Sequence, residues 1–150
     1  MTQQLVAVSE FELLIKNVDV VIDASDNFST RYALNKACIT QKKTLVSGAA
    51  IRMEGQVSVF QGHLKTQPCY QCLYPQVAQD DDEETCTETG VLAPVVGAIG
   101  SLQAIEAIKV LLNVGENLSG YLLIFDGLTM DWRKLKLSKN PDCPACRTSC

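Results

Sequence analysis

Two C-x-x-C pairs, Cys69-Tyr70-Gln71-Cys72 and Cys143-Pro144-Ala145-Cys146, constrain what this chain can fold into more than any other feature. Pro68, Pro75, Pro141 and Pro144 give both pairs a loop setting. A two-residue spacing lets both thiolates of a knuckle face one tetrahedral ion at about 2.3 Å. Two knuckles fill all four positions and leave none for water, so Cys69, Cys72, Cys143 and Cys146 point to a structural zinc ion. The seventy residues between the pairs are far more than a small zinc ribbon uses, and the ion would staple the tail to a hairpin loop. The competing reading is a pair of redox motifs. Those sit at the start of a helix after a strand, and neither pair has that setting.

The rest of the composition is that of an ordinary soluble domain. A chain of 150 residues reads as one domain with room for a core. A formal charge of -4 supplies no basic surplus for phosphates, so no nucleic-acid partner is expected. Met1-Thr2-Gln3-Gln4 lacks the basic start and apolar stretch of a signal peptide. The apolar stretch Val91–Val114 is interrupted by Gln103, Glu106 and Lys109, which suits a buried helix of a soluble protein better than a membrane span. A cytoplasmic protein is expected, in which seven cysteines imply metal or catalysis rather than disulfides.

Periodicity orders the chain. Ser9-Glu10-Phe11-Glu12 reads as a capping box opening a short helix over 10–17. The β-branched run Val18-Asp19-Val20-Val21-Ile22-Asp23-Ala24 predicts a parallel strand covered on both faces. A helix over 29–40 and a strand over 44–48 complete a helix–strand–helix–strand series, the second half of a doubly wound α/β unit. Residues 55–62 alternate with period two, as a hairpin strand with one solvated face does. A cysteine-bearing loop, the acidic run Asp80–Glu84, a long helix over 94–113 and a strand pair over 121–126 and 129–137 follow. Glu106 and Lys109 read as surface or interface residues of that helix. His63 reads as an exposed hairpin residue without a role.

Asp23 and Asp26 stand at the carboxyl end of the first strand, where open α/β sheets place ligands. A carboxylate there can hold Mg²⁺ and so bridge to nucleotide phosphates. Asn27 can add a contact, and Arg31, one helical turn on, can reach a phosphate. Asp26 could equally cap the following helix. Among the remaining cysteines, Cys38 reads as core and Cys150 carries no signal. Cys86 sits in a polar loop, where its acidic neighbours would raise the thiol pKa rather than lower it.

These pieces together resemble the MoeB/ThiF/HesA family of adenylyltransferases, related to the ubiquitin-activating enzymes. The resemblance is carried by Val21–Asn27 with Arg31 and Asn35, Val46–Gln56, Pro68–Cys72, Gly90–Gly97, Gly100–Lys109 and Asn140–Cys146. It covers essentially the whole chain. It implies ATP-dependent attachment of AMP to the C-terminal glycine of a ubiquitin-like sulfur-carrier protein, in molybdopterin or thiamine-type sulfur transfer. It also implies that Asp26 holds the Mg²⁺ of ATP with Asn27 and Arg31 nearby, that Cys86 can form a covalent link with the carrier, and that the protein is a homodimer. The apolar helix over 95–112 fits such an association.

One departure is large. The family opens with a strand and a glycine-rich turn that cradles the nucleotide, and no G-x-G-x-x-G or Gly-Lys-Ser/Thr occurs in these 150 residues. The expectation is a single domain over 1–150, a partial Rossmann-like doubly wound sheet with antiparallel C-terminal strands, lacking the glycine-rich nucleotide-binding segment. The alternative to an enzyme is a non-catalytic module that keeps zinc, carrier binding or dimerisation.

Overall fold

The computed structural model describes residues 8–76 and 90–147. The elements are α1 (Val8–Ile15), β1 (Val20–Asp23), α2 (Phe28–Thr40), β2 (Thr44–Ile51), β3 (Glu54–Phe60), α3 (Tyr70–Leu73), α4 (Ala93–Leu112), β4 (Tyr121–Asp126) and β5 (Asp131–Lys136). The five strands lie side by side in chain order. β1 and β2 are parallel, with Val20 opposite Thr44 and Asp23 opposite Ser47, and α2 makes the crossover. The other three pairings are antiparallel hairpins or returns. The result is a mixed α/β sheet.

Local chemistry sets the element ends. Asn27 caps α2, its Oδ1 accepting the Thr30 N–H at 2.8 Å. Pro94 lies in the first turn of α4, where a missing N–H costs nothing, and Asn113 ends the helix in the left-handed region at φ 51°. Arg52 takes a positive φ of 53° in the tight turn between β2 and β3.

Successive side chains of β2 point to opposite faces of the sheet. Leu45 packs with Ile15, Ala37, Cys38, Phe60 and Tyr70 on the α1–α2 side. Val46 packs with Val57, Val59, Val95, Ile99 and Ala107 under α4. Two glycines let α4 come close. A Cβ at Gly48 would strike the Gln103 side chain, and one at Gly55 would strike Ile99. Gln103 uses the space to donate from Nε2 to the carbonyls of Asp23 at 2.7 Å and Val46 at 3.3 Å.

Several expectations need correction. Ser9 lies inside α1, which already includes Val8, so it is not the cap. β1 is an edge strand among the described residues, so Ile22 is 49% exposed rather than covered. β3 is buried on both faces, because Ser58 and Phe60 meet the α2–α3 side that was expected to be solvated. α4 is long and apolar enough to cross a membrane by length and composition alone, with mean hydropathy 1.7. It buries one stripe on the sheet, Gln103 and Glu106 included, and leaves Val96, Ile105, Ile108 and Leu112 exposed. His63 is half-buried, and burial lowers its pKa.

Glu106 is the sharpest of these differences. Its carboxylate accepts the buried Leu118 N–H at 2.7 Å and pairs with Lys109, which also donates to the Glu116 carbonyl at 2.7 Å. Glu106 therefore ties the C-terminal half of α4 to the loop that leads into β4. Glu106→Ala should lower stability by about 1–3 kcal/mol, the cost of leaving a buried N–H without a partner. Glu106→Gln keeps an acceptor and should cost less, and urea unfolding of the two variants distinguishes them.

Candidate metal centre and adjoining cleft

The two knuckles meet. Cys69 Sγ lies 3.8 Å from Cys72 Sγ and 3.7 Å from Cys143 Sγ, and Cys72 Sγ lies 3.5 Å from Cys146 Sγ. All four sulfurs fall within 4.8 Å of one another. Metal–sulfur bonds of about 2.3 Å put the corners of a tetrahedron roughly 3.8 Å apart, so the spacing fits one tetrahedral ion. All four cysteines are free of disulfides. Cys69, Cys143 and Cys146 are fully buried, with Ile39 and Ala145 packed against them.

Burial and mutual hydrogen bonding shift the thiols in opposite directions. The hydrogen bond from Cys69 pulls the Cys72 thiol down to about 4, while the same contact and burial push Cys69 up. Burial raises Cys146 to about 12. The contact between Cys69 and Cys72 thus favours the thiolate on Cys72. A bound divalent ion would supply the positive charge that lets the others ionise. Cys38 stands apart as expected. It is buried in the core, and burial raises its thiol to about 12.

A cleft of about 230 Å³ opens beside this centre, off the carboxyl end of β1. Asp26, Asn27, Phe28 and Arg31 form one wall, Ala49, Ile51, Glu54 and Gln56 the floor, and Tyr70 and Tyr74 the wall nearest the cysteines. Asp23 is fully engaged below it. Its carboxylate accepts from Ser25 N at 2.9 Å, Ser25 Oγ at 2.6 Å and Ser47 Oγ at 3.1 Å. Asp26 is exposed on the rim, with the Asn27 amide donating to its carboxylate at 3.2 Å. The cap of α2 is Asn27, not Asp26.

Arg31 is placed differently from a free phosphate-binding arm. It is buried, and its Nη2 donates to the carbonyls of Ser25 and Gly48, bracing the turn after β1 against β2. Its guanidinium still lines the cleft. Tyr70 and Tyr74 were not anticipated. Both face the cleft, and the Tyr74 hydroxyl donates to Gln56 Oε1 at 2.7 Å. Burial raises the pKa of both hydroxyls, and the nearby Arg31 guanidinium opposes the rise. The signal that could have found them is their spacing of four across the first knuckle. Cys86 lies outside the described residues.

Replacing one sulfur should separate the centre from the sheet. Cys146→Ser should weaken metal binding by more than the ~10–100-fold that loss of an outer-shell partner costs, read by competition with a chelator. Cleavage after Lys139 should accelerate, with the unfolding of the sheet little changed. Cys38→Ala should leave metal affinity as it is.

The ThiF family's sequence model matches residues 1–145. The molybdopterin-synthase adenylyltransferase of Salmonella typhimurium is 47% identical over 133 residues, which is 89% of this chain and 52% of that protein. Its counterpart from Escherichia coli is 46% identical over 138 residues, 92% of this chain and 54% of that protein. The sulfur carrier protein adenylyltransferase of Thermus thermophilus is 43% identical over 136 residues, 89% of this chain and 50% of that protein. The chain spans about half the length of these relatives. Escherichia coli MccB, crystallised with ATP, has the same fold, with a TM-score of 0.73 at 15% identity over 99% of this chain and 45% of that one. With its sequence matched almost from end to end, the chain belongs to the ThiF family.

Proposed function

We propose that the chain works within an ATP-dependent adenylyltransferase that activates the C-terminal glycine of a ubiquitin-like sulfur-carrier protein. The observation that carries this reading is the cleft off the end of β1, with the Asp26 carboxylate open on its rim. Asp26 offers one or two oxygens to the Mg²⁺ of ATP, and the Asn27 amide stands beside it. Arg31 adds fixed positive charge to the wall while holding the turn that carries Asp26. A carboxylate oxygen of the carrier's terminal glycine bonds to the α-phosphorus, and pyrophosphate leaves. The acyl-adenylate is then open to sulfur transfer of the molybdopterin or thiamine type. The parallel β1–α2–β2 unit serves as the corresponding half of a doubly wound nucleotide-binding sheet.

The four-cysteine centre holds zinc, whose contribution is structural because Cys69, Cys72, Cys143 and Cys146 leave no open coordination position. Cys86 is the candidate for a covalent link to the carrier. The described residues on either side of its segment support this. Tyr74 lines the cleft, and Gly90 bonds to the Arg52 N–H at 2.9 Å, between cleft residues Ile51 and Glu54. The enzyme is a cytoplasmic homodimer, with the exposed apolar face of α4 in the contact. Sedimentation as a monomer at micromolar concentration would count against that part.

These 150 residues contain no glycine-rich phosphate cradle, so the chain by itself should bind ATP weakly. A second reading, a non-catalytic zinc module that binds the carrier or a second copy, draws on the commitment of Arg31 Nη2 to backbone carbonyls. ATP–pyrophosphate exchange with a carrier protein separates the two. The chain alone should not exchange, and the chain extended by a glycine-rich segment should. In that extended form Asp26→Ala should cost at least about 100-fold, the size of losing one electrostatic stabiliser, while Cys86→Ala leaves exchange intact. Exchange by the chain alone would put the nucleotide elsewhere, and none in either form would favour the module.

A further inference from the structure

The four-cysteine centre and the cleft share a set of side chains. Arg31 and Asn35 lie four residues apart on α2, so they occupy one face of the helix. Arg31 faces the cleft. Asn35, 2% exposed, faces the cysteines, and its Nδ2 donates to Cys69 Sγ at 3.7 Å. Its Oδ1 accepts the Tyr70 backbone N–H at 3.0 Å. One amide thus holds both a sulfur of the centre and the residue next to it.

Tyr70 spans the same gap from the other side. It follows Cys69 directly, is 2% exposed, and reaches the cleft, where its hydroxyl is hydrogen-bonded to the Arg31 guanidinium. Its ring is packed by Tyr32, Phe60 and Tyr74, with centroids 5.8, 5.7 and 5.0 Å away. A ring so enclosed moves only when its backbone moves. That backbone belongs to α3, a helix of four residues, far too short to hold itself. What fixes α3 is Asn35, the sulfurs of Cys69 and Cys72, and the rings packed on Tyr70. Arg31 in turn braces the turn carrying Asp26 against β2 at Gly48.

We propose that Asn35 is an outer-shell partner of the metal centre and that, with Tyr70, it relays the position of the first knuckle to Arg31, so that metal binding orders the Asp26 turn. The relay rests on the reading of the four cysteines as a metal site. Asn35 and Tyr70 are positioning residues. The amide N–H strengthens as a donor once Cys69 is a thiolate. Loss of the ion frees the knuckle, Tyr70 follows it, and Arg31 loses the hydroxyl that holds its guanidinium. The sheet under α4 has no part in this path.

The test uses the chain loaded with Co²⁺, whose thiolate charge-transfer absorption reports the ligand sulfurs. Asn35→Ala should weaken metal binding ~10–100-fold and shift that band. Asn35→Asp, which keeps the acceptor for Tyr70 N but has no N–H for Cys69, should weaken it as well. Tyr70→Phe should leave affinity and band unchanged. Amide hydrogen exchange over Ser25–Arg31 should then be severalfold faster in the metal-free chain and in loaded Tyr70→Phe than in the loaded parent. Exchange across the β3–β4 pairing should be alike in all three. If loaded and metal-free chains exchange alike over Ser25–Arg31, or Asn35→Ala binds metal like the parent, the relay falls and the metal site stands. A chain that takes up no metal overturns both.

Discussion

Two loops far apart in the chain can meet at one ion only after everything between them has taken its place. Cys69 and Cys143 are separated by 74 positions, a span that holds α3, α4, β4 and β5. The loops themselves contribute little. Around the second knuckle the ordering contacts are short turns, Cys143 N to Asn140 O at 3.1 Å and Arg147 N to Cys143 O at 3.0 Å. The stability of this corner comes from sulfur geometry and from the aromatic rings packed against α3. The centre is therefore a consequence of the fold and also a fastening on it.

A different device holds the opposite face. α4 approaches the sheet at two positions without side chains and sends polar groups inward, Gln103 to strand carbonyls and Glu106 to the Leu118 N–H. Apolar packing alone would let a helix of this composition slide along the sheet, because Val and Ile contacts are not directional. Gln103 and Glu106 remove that freedom. Each buried polar group is satisfied at a single register, so a shift of one turn would leave several unpaired.

Sequence alone made the strands, the long helix, both knuckles and the position of Asp26 legible, since each has a short-range signature. The β-branched run of β1, the C-x-x-C spacing and the carboxylate at a strand end need no knowledge of what lies across the sheet. The errors arose where the partner is distant. Glu106 looks like any charged residue on a helix, and only the distant Leu118 N–H, ahead of β4, makes it a buried acceptor. Arg31 has the spacing of a phosphate ligand, yet the carbonyl of Gly48, 17 positions away, takes up its Nη2. Alternation in β3 suggested a wet face, and only the return of α3 onto Phe60 makes it dry. Tyr70 has no signature of its own between two cysteines, and only its neighbours on α2 and β3 make it a wall of the cleft.

The separation of the two knuckles also fixes an order of events during synthesis. Cys69 and Cys72 leave the ribosome while β4, β5 and the second pair are still to be made. At about 5–20 residues per second the first knuckle waits roughly 4–15 s for its complement. Through that interval it offers two sulfurs where four are needed, with its aromatic neighbours incompletely covered. An ion held by all four sulfurs would therefore have to wait for the second knuckle to emerge rather than seed the fold, and the first pair of thiols is exposed to oxidation for just those seconds.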